Sequence, residues 1–346
     1  MEKKVKNRRD FIKGFSMGIM GGAAGIINSS EEAMAAQSLS TESSVSFLAG
    51  NDRREMIGQV LKPFEKEIRE GIRGKQIVIK PNLVNDFNPL QATHPDAVRG
   101  LIDFLKPFYK KKILIAESSV SKNGTMYAFE KHGYTPLEKE FKVKLVDLNQ
   151  DSYSIEWILD ENRHPQDIKI IDTFLNPDNY IISLARMKTH NAVVATLAIK
   201  NVVMASPVNL PDKKITEKRK VHNGGPVGIN YNMFLIAHKV RPHLSIIDGF
   251  TGMEGNGPSH GTPVEHGVAL ASFDVVSADR IGIELMGIDY GDVGYLQWCS
   301  NAGLGQGDRS KIKIIGDDPL NHVIKYRLHD NIERQFKWKE GFEINR

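Results

Sequence analysis

Gln76-Ile77-Val78-Ile79-Lys80-Pro81-Asn82-Leu83 is a β-branched run that gives way to a lysine, a proline and an asparagine. A run of this kind bounded by breakers reads as a strand. Helical spacing follows over Asp96 to Leu105, then a second run at Lys112 to Glu117, a second helical pattern at Thr125 to Phe141 and a third run at Val143 to Leu148. Strand and helix in alternation predict a parallel sheet with right-handed crossovers.

Further runs lie at Ile168 to Phe174, Tyr180 to Met187, Leu244 to Asp248, Gly267 to Phe273 and Lys311 to Ile315. Only Leu175-Asn176-Pro177-Asp178-Asn179 separates the first two of these, and that turn composition predicts that they pair as a hairpin. The expected fold is therefore α/β, a mixed and mostly parallel sheet flanked by helices with a β-hairpin insertion. Upstream, Arg53 to Ile72 has helical spacing, whereas residues 36–52 are rich in Ser, Thr and Gly and read as a flexible leader. Residues 53–318 then form a single domain, and 319–346 a C-terminal extension packed on it.

The amino terminus carries a different message. Arg8-Arg9 stands before Phe11, Lys13 and an apolar stretch from Phe15 to Ile27, and small residues follow at Ala33 to Ala36. This is the order of a twin-arginine export signal over residues 1–35, with an ordinary secretory signal as the alternative. The stretch is shorter than the ~20 residues a spanning helix needs, so no stable membrane anchor is expected. The expected location is exported, periplasmic or otherwise outside the cytoplasm, with the twin-arginine translocase as a partner during transport.

Of 46 Lys/Arg and 42 Asp/Glu, residues 1–35 take six and four, which leaves a formal charge of +2 on the remainder. That balance gives no reason to expect nucleic acid. The basic run from Lys213 to Lys220 reads as a solvated loop, with a polyanion site as the alternative. Residues 211–228 combine charge with breakers and predict a mobile flap over a cleft, or an ordinary surface loop. Cys299 is the sole cysteine, so no Cys-ligated iron-sulfur cluster forms within the chain. There is no GxxxxGK[ST], HExxH or GxSxG.

Ligands of open α/β sheets sit beyond the carboxyl ends of strands. There the sequence places Lys80 and Asn82, then His94 at a helix start, Lys188 and His190 at the end of another run, and Lys200-Asn201 in the helix after it. Lysines beside amides and imidazoles suit a small anionic molecule, a carboxylate or phosphate. Lys188, His190 and His94 are the candidate catalytic groups, a histidine moving a proton near neutral pH, and Lys80, Asn82, Lys200 and Asn201 the candidate substrate-binding groups. Asp279 falls on the apolar face of its helix and Asp274 where an N-cap belongs. Asp248, Glu254 and Asp279 offer oxygen ligands for a divalent metal, and a structural ion pair is the alternative for Asp279.

These blocks together, Ile79-Lys80-Pro81-Asn82, Thr93-His94-Pro95, Met187-Lys188-Thr189-His190, Thr196 to Asn201, Asp248-Gly249, Gly252 to Pro258, Phe273-Asp274 through Asp279, and Gly303-Leu304-Gly305, resemble the domain of unknown function 362 family from about Gln76 to Gly316. The resemblance implies a fold and a site at these positions, not a reaction. Some relatives of this kind carry a ferredoxin-like cysteine segment, and this chain departs from them. Two functions are consistent with the residues: an exported enzyme acting on a small anionic ligand, with a metal or organic cofactor, and a non-catalytic ligand-binding or cofactor-maturation protein.

Overall fold

The computed structural model describes residues 42–210 and 215–340. The expected export signal and the first residues of the expected leader lie outside the described residues. In chain order the strands are β1 (Ser43–Ala49), β2 (Gln76–Pro81), β3 (Ile113–Glu117), β4 (Val143–Asp147), β5 (Tyr153–Leu159), β6 (Pro165–Ile171), β7 (Asn179–Thr189), β8 (Ala195–Thr196), β9 (Asn209–Leu210), β10 (Ile215–Thr216), β11 (Leu244–Glu254), β12 (Thr262–Ser272) and β13 (Ile312–Gly316). The helices the argument uses are α1 (Arg53–Leu61), α2 (Pro95–Leu105), α3 (Ala198–Val203), α4 (Glu217–Lys220), α5 (Gly225–Ala237) and α6 (Val275–Leu285).

Strands β13-β1-β12-β11-β7-β2-β3-β4 lie side by side in one sheet, and β8 pairs with β7 as its ninth strand. β11, β7, β2, β3 and β4 are mutually parallel, while β12 is antiparallel to both of its neighbours. The period of two divides the apolar residues between two layers. Ile77, Ile79, Ile115, Ile182, Leu184 and Ile246 pack on the side of α1 and α2. Val78, Ala116, Ile181, Ala185 and Met187 pack with residues of α3, α5 and α6 on the other. All eleven residues of β7 are buried, as a strand covered on both faces requires.

Two expectations give way here. Ser43–Ala49 is no leader: it pairs in parallel with β13 and antiparallel with β12, in the body of the sheet. Its serines masked an alternation that turns Val45 and Phe47 inward, 0% and 1% exposed. The run at Ile168 to Phe174 does not pair with the run at Tyr180 to Met187. β6 instead pairs with β5 in a separate two-stranded sheet, and β7 enters the main sheet between β2 and β11. A short turn keeps strands near in sequence, but β7, with Tyr180, Ile181, Ile182, Leu184, Ala185 and Met187 to bury, gains more between two neighbours than from one exposed partner. The hairpin insertion exists; it is β5-β6.

The chain leaves β2 for β3 and β4 on one side and returns as β7 on the other. That reversal of direction opens a crevice at the carboxyl ends of β2 and β7, where open α/β sheets take their ligands. The glycine-rich turn after β11 closes against this end. A Cβ on Gly257 would stand 2.2 Å from the carbonyl oxygen of Thr189, so only glycine permits that approach.

Candidate functional site

The crevice holds a cavity of about 270 Å³ lined by Lys80, Asn82, Glu117, Lys188, His190, Lys200, Asn201 and Lys218. Leu83, Val84, Val120, Met204, Ala205 and Pro258 supply its apolar wall.

Lys80 and Glu117, at the ends of adjacent strands, form a buried ion pair of 2.8 Å. The Lys80 ammonium also donates to the Pro81 carbonyl at 2.6 Å and to Asn201 Oδ1 at 3.2 Å. Glu117 is saturated from the protein side: Oε2 also accepts from Leu83 N at 2.7 Å, and Oε1 from Ser118 N at 2.7 Å. Burial lowers the Lys80 pKa against the pull of Glu117. Asn201 donates to the Lys80 carbonyl at 2.9 Å and to Ser183 Oγ at 3.0 Å, which fixes α3 against β2 and β7. Asn82 is held from two sides, by Thr93 Oγ1 at 2.8 Å through its backbone N–H and by Asn201 Oδ1 at 3.3 Å through its side chain.

The Lys188 ammonium donates to Asn82 Oδ1 and, at 2.6 Å, to the Gln91 carbonyl. Burial pushes its pKa well below the ordinary lysine value, and the nearby charges of Lys200, Arg186 and Lys80 push the same way. Lys218 on α4 donates to the carbonyl oxygen of Ser118 and to its Oγ at 2.9 Å. Burial brings its pKa to about 8. Lys200, partly buried on α3, makes no hydrogen bond or ion pair among the described residues, and burial followed by repulsion from Lys218 brings it to about 7. Against these four lysines stands one carboxylate, Glu117, already neutralised by Lys80.

His190 Nδ1 accepts from Ala192 N at 3.0 Å, which leaves the ring proton on Nε2. Burial and the charges of Lys200, His222 and Lys188 hold its pKa well below the usual histidine range. At neutral pH it is a neutral imidazole and a hydrogen-bond donor, so the expected proton shuttle near neutrality does not fit it. Its carbonyl accepts from Gln335 Nε2 at 2.9 Å, so the C-terminal segment sets the position of this turn.

Six of the seven predicted catalytic and binding residues line this cavity: Lys80, Asn82, Lys188, His190, Lys200 and Asn201. His94 does not. Its Nδ1 accepts from Asp96 N at 3.2 Å as the N-cap of α2, on a half-exposed surface near Arg53 and Asp248. The three acids proposed for a metal are also separated. Asp248 pairs with Arg53 at 3.2 Å, and Glu254 accepts from Arg327 N at 2.9 Å. Asp279 accepts from Ala198 N at 2.8 Å and Ile199 N at 3.1 Å, so it caps α3, and burial raises its pKa to about 7. No three of the described His, Cys, Asp and Glu residues are grouped to hold a metal ion. Asp274 caps α6 through Val276 N and Ser277 N, as its position predicts.

Sequence alone does not single out Glu117, Lys218 or His222, which also line the cavity. Glu117 was visible as an acid ending a buried strand beside Lys80, but without the sheet order nothing joined the two. The charged neighbours of Lys218 predict a solvated loop, with a polyanion site as the alternative; the structure brings Lys218 and His222 to the cavity wall. Residues 211–214 of the expected flap lie outside the described residues. No described helix is long and apolar enough to cross a membrane.

Comparison with known proteins yields one family. Residues 77–284 match the domain of unknown function DUF362. The chain is 26% identical over 220 residues to a thylakoid-associated protein of Synechocystis sp. (strain ATCC 27184 / PCC 6803 / Kazusa), covering 62% of this chain and 64% of that protein, just under two thirds of its length. Among solved structures, a protein from Thermotoga maritima superposes with a TM-score of 0.41 at 12% identity, over 74% of this chain and 59% of the other. The lactate racemase apoprotein from Thermoanaerobacterium thermosaccharolyticum gives 0.34 at 12%, over 60% and 50%. With its cavity residues Lys80 through Lys218 falling inside the matched segment, the chain belongs to the DUF362 family.

Proposed function

We propose that this protein binds a small anionic molecule, one carrying a carboxylate or a phosphate, in the cavity at the ends of β2, β3 and β7, and acts on it as an enzyme. The observation that carries the reading is the gathering of Lys80, Lys188, Lys200 and Lys218 around one cavity with Glu117 as the only acid in its wall among the described residues. Lysine donors in a site with an apolar wall favour an anion over a cation, and the Nε2–H of His190 adds a neutral donor. The volume admits a molecule of a few heavy atoms or the anionic end of a larger one. The Arg8-Arg9 signal supports export of the folded protein.

The test is isothermal titration with a panel of small carboxylates and phosphates, together with native mass spectrometry of the full chain. Binding that falls about tenfold or more in Lys188→Met is expected, since removing one charged hydrogen bond costs roughly 1.5–3 kcal/mol. Equal affinity in wild type, Lys188→Met and Lys218→Met would overturn the assignment. A ligand that binds and is recovered unaltered under every condition would favour the non-catalytic carrier.

A further inference from the structure

The four cavity lysines are not equivalent. Lys80 is committed to Glu117, Pro81 and Asn201, Lys188 to Asn82 and Gln91, and Lys218 to both oxygens of Ser118. Lys200 alone of the four presents its amine without an acceptor among the described residues, and it does so into the cavity. The groups that face it from neighbouring elements are basic: Lys188 and His190 from β7, and Lys218 and His222 from the segment after β10. Glu117, the one acid in the wall, is spent on Lys80.

We propose that Lys200 is a nucleophile that forms an imine with a carbonyl group of the bound anion, so that the substrate class is a 2-oxo acid or another small aldehyde or ketone bearing a carboxylate or phosphate. This rests on the anion-binding reading of the cavity and adds a bond to it. A partly buried lysine hemmed in by other cations and given no acceptor is shifted toward the free amine, the form that attacks a carbonyl carbon. Lys200, at about 7, is half unprotonated at neutral pH, whereas a surface lysine is almost wholly ammonium. Lys188 is shifted down as well, but its amine is committed to Asn82 and Gln91, as those of Lys80 and Lys218 are to their own acceptors, so these three keep the complementary part as N–H donors around the ligand's anionic group.

The step balances within the site. The Lys200 nitrogen bonds to the carbonyl carbon, the C=O π pair moves to oxygen, and one amine proton passes to that oxygen to give the carbinolamine. The Lys218 ammonium then gives a proton to the hydroxyl, the C–O bond breaks and water leaves. The nitrogen lone pair closes the C=N bond, so the positive charge lost by Lys218 appears on the iminium. No oxidant or reductant takes part.

The experiment incubates the full chain with pyruvate, and separately with glyoxylate, in the presence of sodium cyanoborohydride, followed by intact-mass measurement and peptide mapping. The expected result is a reduced adduct on the peptide holding Lys200, formed about tenfold or more faster than on surface lysines because of its lower pKa, faster at pH 8 than at pH 6, and absent from both Lys200→Met and Lys200→Arg. The arginine variant keeps the charge and cannot form the bond. Adduct absent from wild type with both probes, or unchanged in Lys200→Arg, overturns the inference. Titration of the same samples with acetate and inorganic phosphate separates the two readings: anion binding without an adduct defeats only the imine, and loss of both defeats the cavity assignment as well.

Discussion

Glu117, 3% exposed, accepts three hydrogen bonds, from the Lys80 ammonium, Leu83 N and Ser118 N. Removing its partner therefore strands a buried charge: Lys80→Ala is expected to cost about 3–5 kcal/mol in urea unfolding. Glu117→Gln is not a mild change either, because an amide N–H would face a backbone N–H, at about 1–3 kcal/mol. Loss in the first variant comparable to a surface substitution would show that the pair is hydrated. The lysines set the pH response. Lys200 and Lys218, at about 7 and about 8, lie below the ordinary lysine value. Anion affinity should be greatest below pH 7 and fall as pH rises through 7 to 8, with the window moved upward by the bound charge. Stability of the unliganded protein has the opposite sign: the unfolded chain holds more protons over this range, so stability grows as pH rises from about 7 toward the ordinary lysine value, and is lost as pH falls through the folded values. Titrations at several pH values with and without phosphate check both signs.

Helix α3 carries Lys200 and Asn201 in its first turn, and Asp279 of α6 holds that turn from behind through two backbone N–H groups. Asp279→Ala is expected to lower stability by about 1–3 kcal/mol for each stranded donor and to weaken anion binding without touching the ligand. A chelator should leave the wild-type melting temperature unchanged; a fall would return Asp279 to the metal reading. This residue shows where sequence stops. Its place on an apolar helix face made burial legible, but a buried carboxylate serves equally as metal ligand, ion-pair partner or cap, and only the position of the second helix decides. The residues at strand ends were easier, because a parallel sheet gathers its carboxyl ends on one side whatever the strand order. β2 and β3 declare themselves by apolar runs, and β7 by one interrupted by Ser183 and Arg186. β1 and β5 do not: serines break up the apolar residues of β1, although Ser46 is itself buried, and serine and glutamate alternate with the apolar residues of β5.

The described C-terminal residues are part of the fold. Tyr326, Gln335 and Trp338 are buried, and Gln335 spans Val194 N at 2.6 Å and the His190 carbonyl at 2.9 Å. Deleting residues 319–346 should therefore abolish anion binding as well as reduce stability, read by titration and thermal melting; unchanged affinity would make the segment a mere appendage. At the other end, the export reading expects that replacing Arg8 and Arg9 by lysine leaves an uncleaved precursor in the cytoplasm, whereas a general secretory signal would tolerate the exchange. β1 gives this a temporal side. It precedes every other described strand, yet both of its neighbours come far later in sequence: Ser43 pairs with Ile312, and Phe47 with Leu270 and Gly316. A chain growing from the ribosome must hold this strand idle until β12 and β13 have emerged. A polypeptide broken off before residue 312 keeps one edge of β1 open, close in sequence to the segment expected to act as the signal. On the export reading, the pairing of β1 thus places, next to the address, a mark that β13 has been made.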